Sequence, residues 1–440
     1  MRYRIEKDLL GQRQVPAEAY YGIETLRGKE NFEITKRGIC RQMIKALAIV
    51  KKAAAKANVD ALNIDEKVGK AIMLACDEIL NGRLHGQFVT DLIQGGAGTS
   101  MNMNANEVIA NRANELLGGK KGVYDFVHPN DHVNFGQSTN DVIQTAGKIA
   151  IVKQLKKLQV ELKKLYNAYL NKATEFKDVI KMGRTHLQEA LPLRLGQEFS
   201  AYASALNRDM KRIDVAIEAL LEVNMGATAI GTSLNANEKY RKKVIYYLNK
   251  FSGEQIKPAK DLIDATRNFD TFGQASSTLK LLALNLSKTA SDLRLMASSG
   301  SNGFSEITLP HVQPGSSIMP GKYNPVVPEM VNQVCFYVIG LDVTITKAIE
   351  AGQLELNVFG PIILMSLFEQ ITTLRRATRT FHNLAISGLI ANTTKYKTDN
   401  SIYLITALSP HLGHEEACNV VNEAISSEKT IKQVLLDHHI

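Results

Sequence analysis

Ile151, Leu155, Leu158, Leu162, Leu165 and Tyr169 recur at steps of four and three. That spacing lays one apolar stripe along a helix, and its a/d character predicts packing against other long helices. The pattern begins at Val142. A second amphipathic run covers about Leu195 to Val223. Helical periodicity also covers the Ala-rich stretch Arg41–Asn58 and the stretch Asp65–Leu80, which ends at Asn81-Gly82. It resumes near Lys239, spans about Asp264 to Ser299, and returns at roughly 328–352 and 362–390. Residues 391–440 read as shorter, less periodic pieces, and residues 1–40 as a turn-rich irregular arm. Period-two alternation is nearly absent. The expectation is an all-α fold: a long central helical bundle, 141–390, flanked by smaller, mostly helical N- and C-terminal domains, 1–140 and 391–440.

Composition narrows the function class. The net charge of +9 comes from dispersed lysines such as Lys153, Lys156, Lys157, Lys163 and Lys164. Such spacing marks a solvated helix face rather than a nucleic-acid patch, so no nucleic acid is expected as partner. No uninterrupted apolar stretch reads as membrane length, and residues 1–25 lack a positive segment followed by an apolar run. Cys40, Cys76, Cys335 and Cys418 lie far apart, as free thiols in a reducing compartment do. A cytoplasmic protein is expected. His128 and His132 are four apart, but Pro129 between them argues for a structural turn. His414-Glu415-Glu416 is not a zinc motif.

Polar blocks carry the candidate chemistry. Gln94–Glu107 is a Gly-rich run followed by Thr99, Ser100 and alternating asparagines. It lacks the P-loop pattern, and by itself reads as a turn capping a helix. Gly136-Gln137-Ser138-Thr139-Asn140-Asp141 runs into the long helix at Val142. These are N-cap residues, and a helix start crowded with hydroxyls is also an anion site. Gly183–Gln188, containing Arg184, Thr185 and His186, interrupts two bundle helices as a turn, and Met225–Asn235 is a Gly/Thr loop. In Gly315–Glu329, three prolines rule out regular structure, and a Pro-Gly turn swings Lys322 and Asn324 back towards Ser316 and Ser317. Lys and Asn together suit a carboxylate.

The run Gly315-Ser316-Ser317-Ile318-Met319-Pro320-Gly321-Lys322-Tyr323-Asn324-Pro325 resembles the signature loop of the fumarase/aspartase superfamily. Its continuation, Val326-Val327-Pro328-Glu329, and the N-terminal Thr25-Leu26-Arg27 and Glu30-Asn31-Phe32 are similar to the aspartate ammonia-lyase branch. The resemblance covers essentially the whole chain. It departs at the C-terminus, which ends at Ile440, earlier than the branch leads one to expect.

The resemblance implies the fumarase/aspartase fold and a homotetramer whose sites are shared between subunits. It implies reversible removal of ammonia from L-aspartate to give fumarate through an enediolate. Ser316 is implied as the base and His186 as a further site residue. Thr99, Ser138, Thr139, Asn140, Thr185, Ser317, Lys322 and Asn324 are implied as substrate contacts, with Asn102 beside them. Thr99, Ser138, Thr139 and Ser317 would stabilise the enediolate, Lys322 and Asn324 hold the α-carboxylate, and Asn140 and His186 face the ammonium. No metal or organic cofactor is expected, since the carboxylate is the electron sink; a divalent cation as activator has no assignable site. The alternatives are a class II-type fumarate hydratase and a non-catalytic structural or binding member of the same fold.

Overall fold

The computed structural model describes residues 2–299, 302–393 and 401–439. Residues 394–400, which fall in the expected C-terminal domain 391–440, and Ile440 lie outside the described residues.

The N-terminal arm is more ordered than its sequence suggests. β1 (Tyr3–Asp8) and β2 (Gly11–Pro16) form an antiparallel hairpin. Arg4 holds it, donating to the Glu6 carboxylate and to the carbonyls of Pro16, Ala17, Ala19 and Tyr21. Five acceptors gathered from separate turns leave no periodic signal, which is why the arm reads as irregular. α1 (Ile23–Asn31) follows.

The helical periodicities become α2 (Arg41–Asp60), α3 (Glu66–Leu80) and α5 (Thr139–Glu175), and the helix that the Gly-rich run caps is α4 (Thr99–Leu116). Asp65 caps α3 by accepting from the backbone N–H groups of Lys67 and Val68. The α5 stripe is as expected: Ile151, Leu155, Leu158, Leu162, Leu165 and Tyr169 are each at most 1% exposed. Burying each such side chain stabilises by about 1.5–3 kcal/mol. Between α4 and α5, the expected structural turn is one wide helical turn, Pro129–Val133. Proline sits at its first position, where no N–H is needed. The two histidines serve this turn: His128 Nδ1 accepts from the N–H groups of Asn130 and Asp131, and His132 Nδ1 from that of His128.

After α5 come β3 (Ile180–Thr185) and β4 (Gln188–Arg194), an antiparallel hairpin where a plain interhelical turn is expected. Then follow α6 (Leu195–Leu220), β5 (Glu222–Val223), α7 (Glu238–Ser252), β6 (Lys257–Pro258), α8 (Leu262–Arg267) and α9 (Asp270–Met296). The single helix expected over 264–299 is therefore two, broken at Asn268, whose backbone is extended. β7 (Ile307–Thr308), α10 (Val326–Glu350), α11 (Gly360–Phe381), β8 (Ile390–Ala391), α12 (Ile405–Leu412), α13 (His414–Ser427) and α14 (Ile431–Asp437) complete the chain. The sheets among the described residues are two-stranded. α10 is long and apolar enough by length and composition to cross a membrane. It also carries buried Asn332 and Asp342, both hydrogen-bonded to α9.

The chain divides into two compact units. The first comprises Met1–Gln159, Lys211–Leu281 and Tyr337–Leu374. In it, Gln370 of α11 donates to Ser276 Oγ of α9 and to the Val338 carbonyl of α10, and Ser276 donates to Asp342. The second comprises Val160–Met210, Leu282–Phe336 and Arg375–Ile440. In it, Asn332 donates to the Ser287 carbonyl and Asn285 to Asp209. Within this unit α12, α13 and α14 enclose a small core of Ile405, Ala417, Val420, Ala424, Ile431 and Val434.

Candidate active site

In the first unit the starts of two helices meet. Ala97 (φ 59°) and Gly98 (φ 95°) turn the chain into α4, whose first residue is Thr99. A Cβ on Gly98 would lie 3.2 Å from Ile143 of α5, so glycine lets the two helices approach. Thr99 donates its hydroxyl to the Gly96 carbonyl at 2.6 Å. One turn later, Asn102 Nδ2 donates to Asn134 Oδ1 at 3.2 Å and makes a longer contact, 3.4 Å, with Thr139 Oγ1 at the start of α5. Thr99, Asn102 and the Ser138–Asn140 block are thus gathered where two positive dipole ends are close, the setting that favours a carboxylate.

The α5 start is fastened from behind. Ser138 Oγ accepts from the Asn140 N–H at 3.2 Å. Asn140 Nδ2 donates to the Ala229 carbonyl at 2.6 Å, and Asn224 Nδ2 to the Asn140 carbonyl at 3.2 Å. Lys51 of α2, wholly buried, donates to Asn134 Oδ1 at 2.8 Å and Gln137 Oε1 at 3.0 Å. Burial pulls its ammonium down to about 7. Asp141, also wholly buried, accepts the N–H groups of Ser138, Gly226 and Thr228, and burial pushes its carboxyl up to about 6. Sequence reasoning did not single out Lys51 or Asp141. A lysine on the apolar face of the Ala-rich helix was the available signal for the first.

The second unit carries the other blocks. Thr185 pairs with Gln188, so His186 (φ 55°) and Leu187 (φ 63°) are the two central residues of a tight hairpin turn. Positive φ at both positions normally falls to Asn and Gly. Here the turn puts His186, exposed, at the hairpin tip. The hairpin root is tied to Glu306, which pairs with Lys181 at 2.6 Å and with Arg184. Lys181 also reaches Glu198 at 3.1 Å, and Arg184 lies over the Phe304 ring.

The signature loop closes on itself. The Gly315 N–H donates to the Lys322 carbonyl at 2.9 Å, and Asn324 Nδ2 to the Gly315 carbonyl at 2.8 Å. A Cβ on Gly315 would lie 2.4 Å from that Lys322 oxygen, so the neck of the loop requires glycine. Ser316 Oγ accepts the N–H groups of Ile318 at 3.3 Å and Met319 at 3.2 Å. Ser317 and Lys322 are exposed. His311 stacks on Tyr323, ring centroids 3.7 Å apart. A cavity of about 400 Å³ is lined here by Ser305, Thr308, His311, Lys322, Asn324 and Asn392. Among the described residues, no group of three or more His, Cys, Asp or Glu side chains is placed to hold a metal ion.

The sequence model of a family described as lyase matches residues 11–340. Aspartate ammonia-lyase of Bacillus subtilis (strain 168) is 52% identical over 440 residues, covering 100% of this chain and 93% of the relative. The chain belongs to the fumarase/aspartase superfamily of lyases. Solved members share its fold. The crystal structure titled fumarate lyase:delta crystallin from Brucella melitensis bound to cobalt superposes with a TM-score of 0.98 at 45% identity, covering 100% of this chain and 96% of that one. Recombinant class II fumarase from Schistosoma mansoni gives 0.96 at 34% identity over 100% and 96% of the two chains. The all-α class read from the helical periodicities and the superfamily fold implied by the resemblance are the ones observed.

Proposed function

We propose that the protein is an aspartate ammonia-lyase that removes ammonia from L-aspartate reversibly, giving fumarate. The observation that carries this reading is the seat of Ser316, whose hydroxyl oxygen accepts two backbone N–H groups. Those donors favour the alkoxide, which a serine must become to act as a base. The identity with the Bacillus subtilis aspartate ammonia-lyase favours an amine over a hydroxyl as the group removed.

Ser316 takes a proton from Cβ. The electron pair left behind moves into the adjacent carboxylate as an enediolate, then returns to form the Cα–Cβ double bond as the C–N bond breaks. Stabilising the enediolate is the main catalytic load. Thr99, Ser138, Thr139 and Ser317 are assigned to it, with Asn102 beside them. Lys322 and Asn324 hold the α-carboxylate by charge and by hydrogen bond. Asn140 and His186 face the ammonium, and Thr185 is a further substrate contact. The carboxylate serves as the electron sink, so no cofactor enters the scheme, and a divalent cation as activator is assigned no residue. The protein acts as a cytoplasmic homotetramer with sites shared between subunits.

Absorbance of the fumarate double bond is the test, with L-aspartate or L-malate as substrate. A rise with aspartate alone is expected. A rise with malate alone makes the protein a fumarate hydratase, and no rise with either favours a non-catalytic member. Mixing inactive Thr139→Ala and Ser316→Ala proteins after mild dissociation tests the shared site: recovered activity is expected, and none sinks the sharing.

A further inference from the structure

The Met225–Asn235 loop and the buried Asp141 have no part in the scheme above, yet the two are joined. Asp141 Oδ1 accepts the Ser138 N–H at 3.0 Å, while Oδ2 accepts those of Gly226 at 3.1 Å and Thr228 at 3.0 Å. Asn140 binds the same loop through the Ala229 carbonyl. The loop is conformationally expensive: Thr228, Ser233 and Asn235 all have positive φ, as do Gly226 and Gly231. A Cβ on Gly231 would lie 2.4 Å from the Ile263 backbone, so the loop is also wedged against α8. Strain of this kind persists only where surrounding bonds over-determine it, and Asp141 supplies two of them.

We propose that Asp141 is a positioning residue of the dicarboxylate site: as a carboxylate it clamps the Ser138–Asn140 turn to the 225–235 loop and so aims the donors of that turn at the ligand. The inference rests on the dicarboxylate reading of this site. A carboxylate accepts at both oxygens. A protonated acid or an amide presents a donor at one of the two atoms and must release at least one of the three N–H groups. The titratable groups facing Asp141 are Lys51 of α2, which gains its charge as pH falls through about 7 and then favours the carboxylate, and Tyr240 of α7, buried and neutral.

The sign of the effect separates positioning from simple electrostatics. Removing a negative charge from beneath a dianion site tightens binding by Coulomb's law alone. Protonating Lys51, or a histidine in the site, acts in the same direction. Lost positioning weakens binding instead.

The experiment is calorimetric titration of the folded protein with fumarate in the absence of ammonia. Asp141→Asn is expected to weaken fumarate binding about tenfold at about pH 8, against the Coulomb sign. The wild-type protein is expected to lose fumarate affinity reversibly from about pH 8 to about pH 5.5, where fumarate itself stays a dianion, and Asp141→Asn to show no such loss. Folded Asp141→Asn protein that binds fumarate as tightly as wild type, or more tightly, overturns the proposal. Should that variant not fold, wild-type affinity that stays constant or rises as pH falls overturns it equally. Wild-type protein that binds no fumarate at any pH overturns the dicarboxylate reading itself, and the inference with it.

Discussion

Asn140 gives its side-chain N–H to the Ala229 carbonyl at 2.6 Å, which commits the donor end of its amide to the 225–235 loop and leaves Oδ1 as the acceptor. An acceptor is what a substrate ammonium needs. Asn140→Leu is therefore expected to lower kcat/KM for aspartate by about 100-fold, with a much smaller change in fumarate affinity. Asn140→Asp keeps an acceptor and should retain more activity than the leucine variant. Equal losses in the two would remove the assignment of Asn140 to the ammonium.

Ser316→Ala removes the proposed base and leaves the proposed carboxylate contacts. Turnover should fall by about 10²–10⁴-fold with fumarate affinity nearly unchanged. Lys322→Met should do the reverse in binding: fumarate affinity falls by about 30-fold or more through loss of a charge pair. Full activity in Ser316→Ala would eliminate the serine as base.

The Gly315 neck gives a prediction about the backbone alone. A methyl there meets the Lys322 carbonyl at 2.4 Å and must break the Gly315–Lys322 hydrogen bond. Gly315→Ala should cost about 100-fold in kcat while leaving the thermal midpoint within about 2 °C, because the loop is largely exposed and contributes little to the core. A drop in melting temperature without loss of turnover would contradict this.

Glu107 sets a pH dependence of stability. It accepts the N–H groups of Gly22, Glu24 and Thr25 and the Thr25 hydroxyl, yet burial still pushes its carboxyl up to about 7. A folded-state value above the unfolded one makes the native protein the stronger proton binder. Its contribution, about 3 kcal/mol at most, is fully present below about pH 4.5 and is lost as pH rises through about 7. Glu107→Gln should show a smaller fall in the urea midpoint from about pH 5 to about pH 8 than wild type does. The same fall in both proteins would show that Glu107 does not titrate in that range.

Fold and site differed in how much the linear pattern showed. The six-residue stripe from Ile151 to Tyr169 identified a bundle helix because burial repeats every three or four residues along one chain segment. The β1–β2 hairpin was invisible, since Arg4 holds it through carbonyls spread from Pro16 to Tyr21. The β3–β4 hairpin was invisible too, because His186 and Leu187 sit in a turn whose usual residues are Asn and Gly.

The candidate site residues stood out in the sequence because the proposed carboxylate and proton chemistry calls for hydroxyls, a lysine and amides, and these cluster in short blocks. The helix periods and the signature loop determined class and family in the same way, through spacing that is local in sequence. Tertiary structure decided which atoms of those blocks are already committed: Asn324 Nδ2 to its own loop, Asn140 Nδ2 to Ala229 and Ser316 Oγ to two amides. It also decided that Lys51 and Asp141 lie beneath the Ser138–Asn140 turn. A buried ion has no period, and its partners come from α2, α5 and the 225–235 loop, which only folding brings together.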